Sequence, residues 1–387
     1  MNIGQKYIKT PVFYGTFGFF LFMQFTGWLP LRFWGRWGGG NFLDSWQVLK
    51  AVDCYTEIGL EVYKLSNECI IYAYGQPLLT ILSFLHIGAS QASATGLILM
   101  VLVAWLITYA VLNSAYSSKT LPFLVAGIIC SPPILLLVDR GNLDAGIASI
   151  IVATALLHAR GKSGIAILML FLMTLFKYYT APVLFLMILI SKRSRDKIFA
   201  LTLSIIAAVS VYRNLQITEF ILNFKSTNIT FGLGHEFLYL SNYEKMAWIA
   251  NYYQFFGLGL LSTLVIVSFL YSNKQELSRD FSTVKSDTRI VYLMSTITLI
   301  GCYMAGGNND YRLILFVISW ATFSSIFKQH RDIKNSLTLL LFIILWLTFP
   351  SGGLEILGDF ALSIYIGINL GYVLSVITQK RIKMLLK

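Results

Sequence analysis

Apolar stretches recur along the chain at residues 11–30, 78–113, 120–138, 145–158, 163–176, 180–191, 198–212, 246–271, 290–305, 311–327, 336–349 and 360–378, with polar or charged segments between them. A helix that crosses a bilayer needs ~20 apolar residues. Several stretches fall short of that and read as helices whose ends are buried in protein or open onto a watery cavity, where irregular backbone and polar groups are tolerated. The pattern therefore predicts an all-α polytopic membrane protein with about twelve transmembrane helices. Segment 78–94 reads either as part of a span or as an amphipathic or re-entrant piece before a span at 95–113. The first stretch, 11–30, has no small-residue cleavage site and reads as the first span.

Composition agrees with this reading. Of 387 residues, 56% are hydrophobic and 12% charged, and the mean hydropathy of +0.69 lies far from that of a soluble globular chain. With the N-terminus inside, 20 of the 30 Lys and Arg but only 5 of the 18 acids fall on the cytoplasmic side. The net charge of +12 is thus a positive-inside signal and gives no reason to invoke nucleic acid. The expected organisation is a single integral membrane domain over 1–387 with both termini cytoplasmic. Its two long exterior loops are 31–77, carrying short amphipathic helices, and 213–245. The cytoplasmic loops "SKRSRDK" and "SNKQELSRDFSTVKSDTR" read as solvated anchors, which leaves chemistry to the outer face.

Cys54 and Cys69 both fall in the first exterior loop and form a plausible disulfide, whereas Cys130 and Cys302 lie in apolar stretches and read as small buried residues. The four His are scattered without ligand spacing, so neither metal nor cofactor is expected. The outer rim collects Asp44, Asp53, Arg140, Asn142, Lys177, His235, Asp310 and Arg312 at one predicted depth. Ionisable residues near hydrocarbon usually face a cavity or one another. Three cations with two or more carboxylates suggest one polar pocket suited to an anionic lipid head group: Arg forks to phosphate oxygens, Lys adds a point charge and a carboxylate remains as a base.

These residues carry a resemblance. "NFLDSWQVLKAVDCYTEIGLEVY", "YAYGQPLL", "DRGNLDAGIASIIVATALLHARGKSG" with its continuation through "FKYYTAPVLF", and "NNDYRLILF" together resemble glycosyltransferase family 87, over residues 10–195 and 300–330. The positions that match are Asp44, Ala51, Gly59 and Tyr63, then Gly141, Asn142 and Asp144, then Lys177 and Pro182. The resemblance implies a GT-C type fold opening at the exterior face of a bacterial inner or plasma membrane. It implies a polyprenyl-phosphate sugar as donor, mannose in the best-known members, and a glycan or glycolipid as acceptor. Asp44 takes the place of the catalytic base, with an N-cap of the helix starting at "SWQVLKAV" as the plainer alternative. Arg140, Asn142, Lys177, Arg312 and His235 would bind the donor phosphate, the turn "DRGNLD" presenting Arg140 and a helix N-terminus to it. Against this, Arg140 could pair with Asp139, Arg312 with Asp310, and Lys177 could snorkel to the interface. Asp53, Asp144 and Asp310 would be supporting acids, and Asp53 reads better as structural or solvated. A transporter or flippase, or a polymerase or ligase of lipid-linked saccharides, would use a similar set of residues.

Overall fold

Helix is the regular structure of every described element in the computed structural model, which describes residues 10–26, 42–59, 62, 75–116, 120–217, 233, 248, 251–274, 278–304, 312–348 and 354–378. In chain order the helices are α1 Pro11–Thr26, α2 Leu43–Ile58, α3 Gln76–Phe84, α4 Ala92–Asn113, α5 Leu121–Ile129, α6 Pro132–Arg140, α7 Asp144–Ala159 and α8 Ser163–Phe176. They continue as α9 Ala181–Ile190, α10 Ser194–Ile217, α11 Tyr253–Lys274, α12 Ser278–Thr283, α13 Ser286–Met304, α14 Leu313–Ile326, α15 Arg331–Leu347 and α16 Glu355–Thr378.

Each apolar stretch of the sequence carries a helix, but fewer of these are spans by length. Among the described residues, three helical segments are long and apolar enough to cross a membrane: Ala89–Asn113, Tyr253–Asn273 and Glu355–Val376. A fourth results if α5 and α6 count as one bent span. The stretch 120–138, read as one continuous span, is broken at Ser131, where Pro132 and Pro133 follow. Proline removes a backbone donor and clashes with the preceding turn, so a helix cannot run straight through the pair. The ambiguous 78–94 segment splits as well. It forms the short α3, a turn at His86, a 3-10 turn at Ala89–Gln91, and then α4.

The chain divides into two compact units, one of residues 1–108, 135–157 and 162–227 and one of the remainder. In the first, α2 is amphipathic. Val48, Leu49 and Val52 are buried in a cluster with Leu79 and Ala92, and Leu82, Ile87 and Leu143 pack on its edge. Cys54, in the same cluster, is disulfide-bonded, while its expected partner Cys69 lies outside the described residues. Consecutive helices α8, α9 and α10 pack on one another, and α3 lies against both α2 and α8.

The second unit is built on α11, α13, α14, α15 and α16. Its core holds stacked Tyr292 and Phe323, with Tyr372 edge-on to Phe327. Aromatic hydroxyls inside it are paired, as buried polar groups must be: Tyr292 donates to Asn369 Oδ1 at 2.8 Å, and the Tyr365 and Ser319 hydroxyls lie 2.8 Å apart. Cys302 is fully buried and Cys130 half-buried, both as free thiols.

Candidate functional site

The "DRGNLD" stretch is a tight helix-to-helix turn. At the end of α6 the Asn142 N–H donates to Leu137 O at 3.2 Å and the Gly141 N–H to Val138 O at 3.2 Å. This is a Schellman ending, and it needs residue 141 in the left-handed region, where its φ is 56°. Asn142 then caps the next helix through its side chain, Oδ1 accepting the Asp144 N–H at 2.8 Å.

The start of α2 is fastened to this turn by contacts that span almost a hundred residues of sequence. Phe42 N–H donates to Asp139 O at 2.7 Å, and the Ser45 hydroxyl donates to Gly141 O at 2.5 Å. A methyl group on residue 141 would lie 2.8 Å from Ser45 Oγ and 2.9 Å from a Phe42 ring carbon. Only a glycine lets the two segments approach this closely.

That approach puts the Asp44 carboxylate against the turn. Arg140 Nε donates to Oδ1 at 2.6 Å, Arg140 Nη2 pairs with the same oxygen, and Asn142 Nδ2 donates to Oδ2 at 2.5 Å. Asp44 lies in the first turn of α2, where the helix dipole favours an acid. A second centre adjoins the first. Asp144 Oδ1 accepts the Tyr179 hydroxyl and lies 3.3 Å from Lys177 Nζ, which sits 5.7 Å from the centre of the Tyr179 ring. Asn142 joins the two centres, giving its amide hydrogens to Asp44 and accepting from the backbone of Asp144.

Asp44, Asn142, Asp144 and Lys177 are all buried. Buried charges persist only when paired and hydrogen-bonded, and here two cations match two carboxylates. The Arg140 side chain keeps 15% of its surface exposed, against 10% for Lys177 and 1% for Asp144. Arg140 is therefore the most exposed of the four charged groups in the cluster.

Five of the residues singled out in the sequence thus come together: Asp44, Arg140, Asn142, Asp144 and Lys177. Phe42, with φ 61°, occupies the N-cap position of α2, so Asp44 is not the cap. Arg140 reaches Asp44, and Lys177 turns inward to Asp144. At the N-terminus of α7, expected to face a phosphate, Asn142 Oδ1 accepts the Asp144 N–H. Asp53 does not join the cluster: its Oδ2 accepts the Ala89 N–H at 3.1 Å. Arg312 opens α14 in the second unit. His235 and Asp310 lie outside the described residues.

Sequence reasoning missed Tyr179 and Ser45, which complete the two centres. It also passed over Glu355 and Asp359, buried acids four apart at the start of α16. The i, i+4 spacing of two carboxylates beside an apolar run was a signal for the latter pair. No protein-family model matches the chain, and no curated protein or solved structure matches it.

Proposed function

We propose that the chain is a membrane glycosyltransferase that moves a sugar from a polyprenyl-phosphate donor to a glycan or glycolipid acceptor at the outer membrane face. The observation that carries this reading is the meeting of Asp44, Arg140, Asn142, Asp144 and Lys177 in one buried polar cluster. The resemblance to glycosyltransferase family 87 supplies the reaction class.

In this mechanism the donor phosphate competes with Asp44 for Arg140. As the guanidinium turns to phosphate oxygens, Oδ1 of Asp44 is released and takes the proton of the acceptor hydroxyl. The acceptor oxygen bonds to the sugar carbon as the bond from that carbon to the phosphate oxygen breaks. The departing polyprenyl phosphate keeps the electron pair, and Arg140 and Lys177 stabilise its charge. The ion pair seen between Asp44 and Arg140 is then a resting state that frees the base once donor is bound.

The break at Cys130 and Ser131, where Pro132 and Pro133 open α6, favours a second reading, a transporter of lipid-linked saccharides, because discontinuous helices line transporter sites. A labelled polyprenyl-phosphate sugar with membrane extract as acceptor separates the two. Asp44→Asn should still bind donor and lose transfer by about 10²–10⁴-fold, the usual worth of a general base. Arg140→Ala and Lys177→Ala should weaken donor binding. Near-parental transfer by Asp44→Asn would remove the mechanism, and lipid movement by a parent that transfers nothing would favour the transporter.

A further inference from the structure

The opposite face of α2 carries a second polar feature. Asp53 is nine residues from Asp44, which on a helix is about 13 Å along the axis and ~180° around it. Trp46, Lys50, Asp53 and Glu57 follow one another at spacings of four, three and four, so they form one stripe. Lys50, Asp53 and Glu57 make one wall of a cleft of about 350 Å³, and the turn after α3, with Ser83, His86 and Gln91, makes the other.

The turn is built around this cleft. Asp53 Oδ2 holds the Ala89 N–H at 3.1 Å, and Asp53 Oδ1 fills the space that a side chain on residue 88 would need. Gln91 Oε1 accepts the Gly88 N–H at 2.8 Å and the Ser90 hydroxyl at 2.9 Å. The end of α3 repeats the Schellman pattern, His86 N–H to Ser83 O and Ile87 N–H to Leu82 O. The residue in the left-handed position is His86, with φ 53°. Glycine would sit there without strain, whereas the imidazole occupies a position that disfavours most side chains. The side chains of Lys50, Glu57 and His86 line the cleft without a hydrogen bond or ion pair to another described residue.

We propose that this cleft is a saccharide subsite that holds sugar units of the acceptor. Sugar hydroxyls donate and accept at once, and the wall offers both kinds of partner: the Lys50 ammonium, the Glu57 carboxylate and the His86 imidazole. A phosphate would be repelled by Asp53 and Glu57, and Asp53, Glu57 and His86 do not come together as a metal-ligating group. Trp46, 41% exposed, lies one turn before Lys50 on the same stripe of α2, outside the lining of the cleft, and offers a ring face on which a longer saccharide could stack. The volume falls within the range of small-ligand sites. Assigning the bound sugar to the acceptor rests on the glycosyl-transfer reading; the binding itself does not.

The test uses the full chain in detergent, with mannotriose and maltotriose as probes and saturation-transfer NMR as readout. At least one trisaccharide should bind saturably. His86→Gly, Lys50→Ala and Glu57→Gln should each weaken it about fivefold or more, as loss of one hydrogen bond implies. His86→Gly should also melt no lower than the parent, because it relieves backbone strain; a purely structural His86 would give the reverse. Trisaccharide binding is read without donor and does not depend on transfer, so a failure of the transfer mechanism leaves this result standing. Absence of binding by the parent, unchanged binding by His86→Gly, or a lower melting point for that variant would each overturn the proposal.

Discussion

Two glycines in this chain end helices in the same way, and substituting both isolates what the cluster demands of its backbone. Gly141 and Gly161 have φ of 56° and 79°, and the Asn142 and Lys162 N–H groups bond back to Leu137 O and Leu157 O in the same pattern. Alanine in the left-handed region costs about 1–2 kcal/mol at either position. The surroundings differ. A methyl on Gly161 meets nothing within 4 Å, while one on Gly141 lies 2.8 Å from Ser45 Oγ, 2.9 Å from the Phe42 ring and 3.2 Å from Gly96 Cα. Forcing a methyl into a packed site adds about 1–3 kcal/mol. Gly141→Ala should therefore lose about 2–5 kcal/mol and Gly161→Ala about 1–2. For a cooperative unit of about 200 residues, a midpoint falls roughly 2–4 °C per kcal/mol. The assay is thermal unfolding of the two variants in the same detergent, followed by tryptophan fluorescence. Equal losses, or a larger loss for Gly161→Ala, would refute the claim that the α2 start and the turn are in tight contact.

The ion pair makes a second prediction by double-mutant cycle. Arg140→Ala leaves the buried Asp44 carboxylate with Asn142 alone and should destabilise by about 3–5 kcal/mol, whereas adding Asp44→Asn should restore part of that loss; additive losses on denaturant titration would show that the pair is not coupled. Cys54 should resist a membrane-impermeant maleimide until a reductant is added, given its disulfide. Labelling without reductant would show a free thiol, and labelling only after permeabilisation would reverse the sidedness expected of the first loop.

The convergence of Asp44, Arg140, Asn142, Asp144 and Lys177 was legible because polar groups are conspicuous in an apolar chain: Arg140, Asn142, Asp144 and Lys177 fall at or beside the ends of predicted apolar stretches, and Asp44 in the first exterior loop. Hydrocarbon cannot solvate them, so they had to meet one another or water. Tyr179 was not legible: an aromatic beside an apolar run looks the same whether it packs or donates a hydrogen bond. Asp53 could be set apart from Asp44 by helical spacing, but its bond to the Ala89 N–H depends on a turn whose shape no local pattern announces. The double proline at 132–133 did announce a break, yet the unbroken hydrophobicity around it favoured a single span. His86 in a left-handed position was invisible, because sequence alone expects glycine there.

Helices α8 and α9 have 14 and 10 residues, which at 1.5 Å per residue is roughly 21 Å and 15 Å. Both expose apolar side chains, Ile165 and Leu168 on one and Phe185 and Leu189 on the other. A fluid bilayer has a hydrocarbon layer ~30 Å thick, and it accommodates shorter hydrophobic walls by thinning beside them. Along this flank the lipid surface would dip toward the turn that joins the two helices, where Lys177 stands. On the glycosyl-transfer reading proposed above, such a dip would bring lipid head groups closer to the buried cluster that Lys177 joins. The delivery route would be a dimple in the membrane, shaped by two helices too short to fill it.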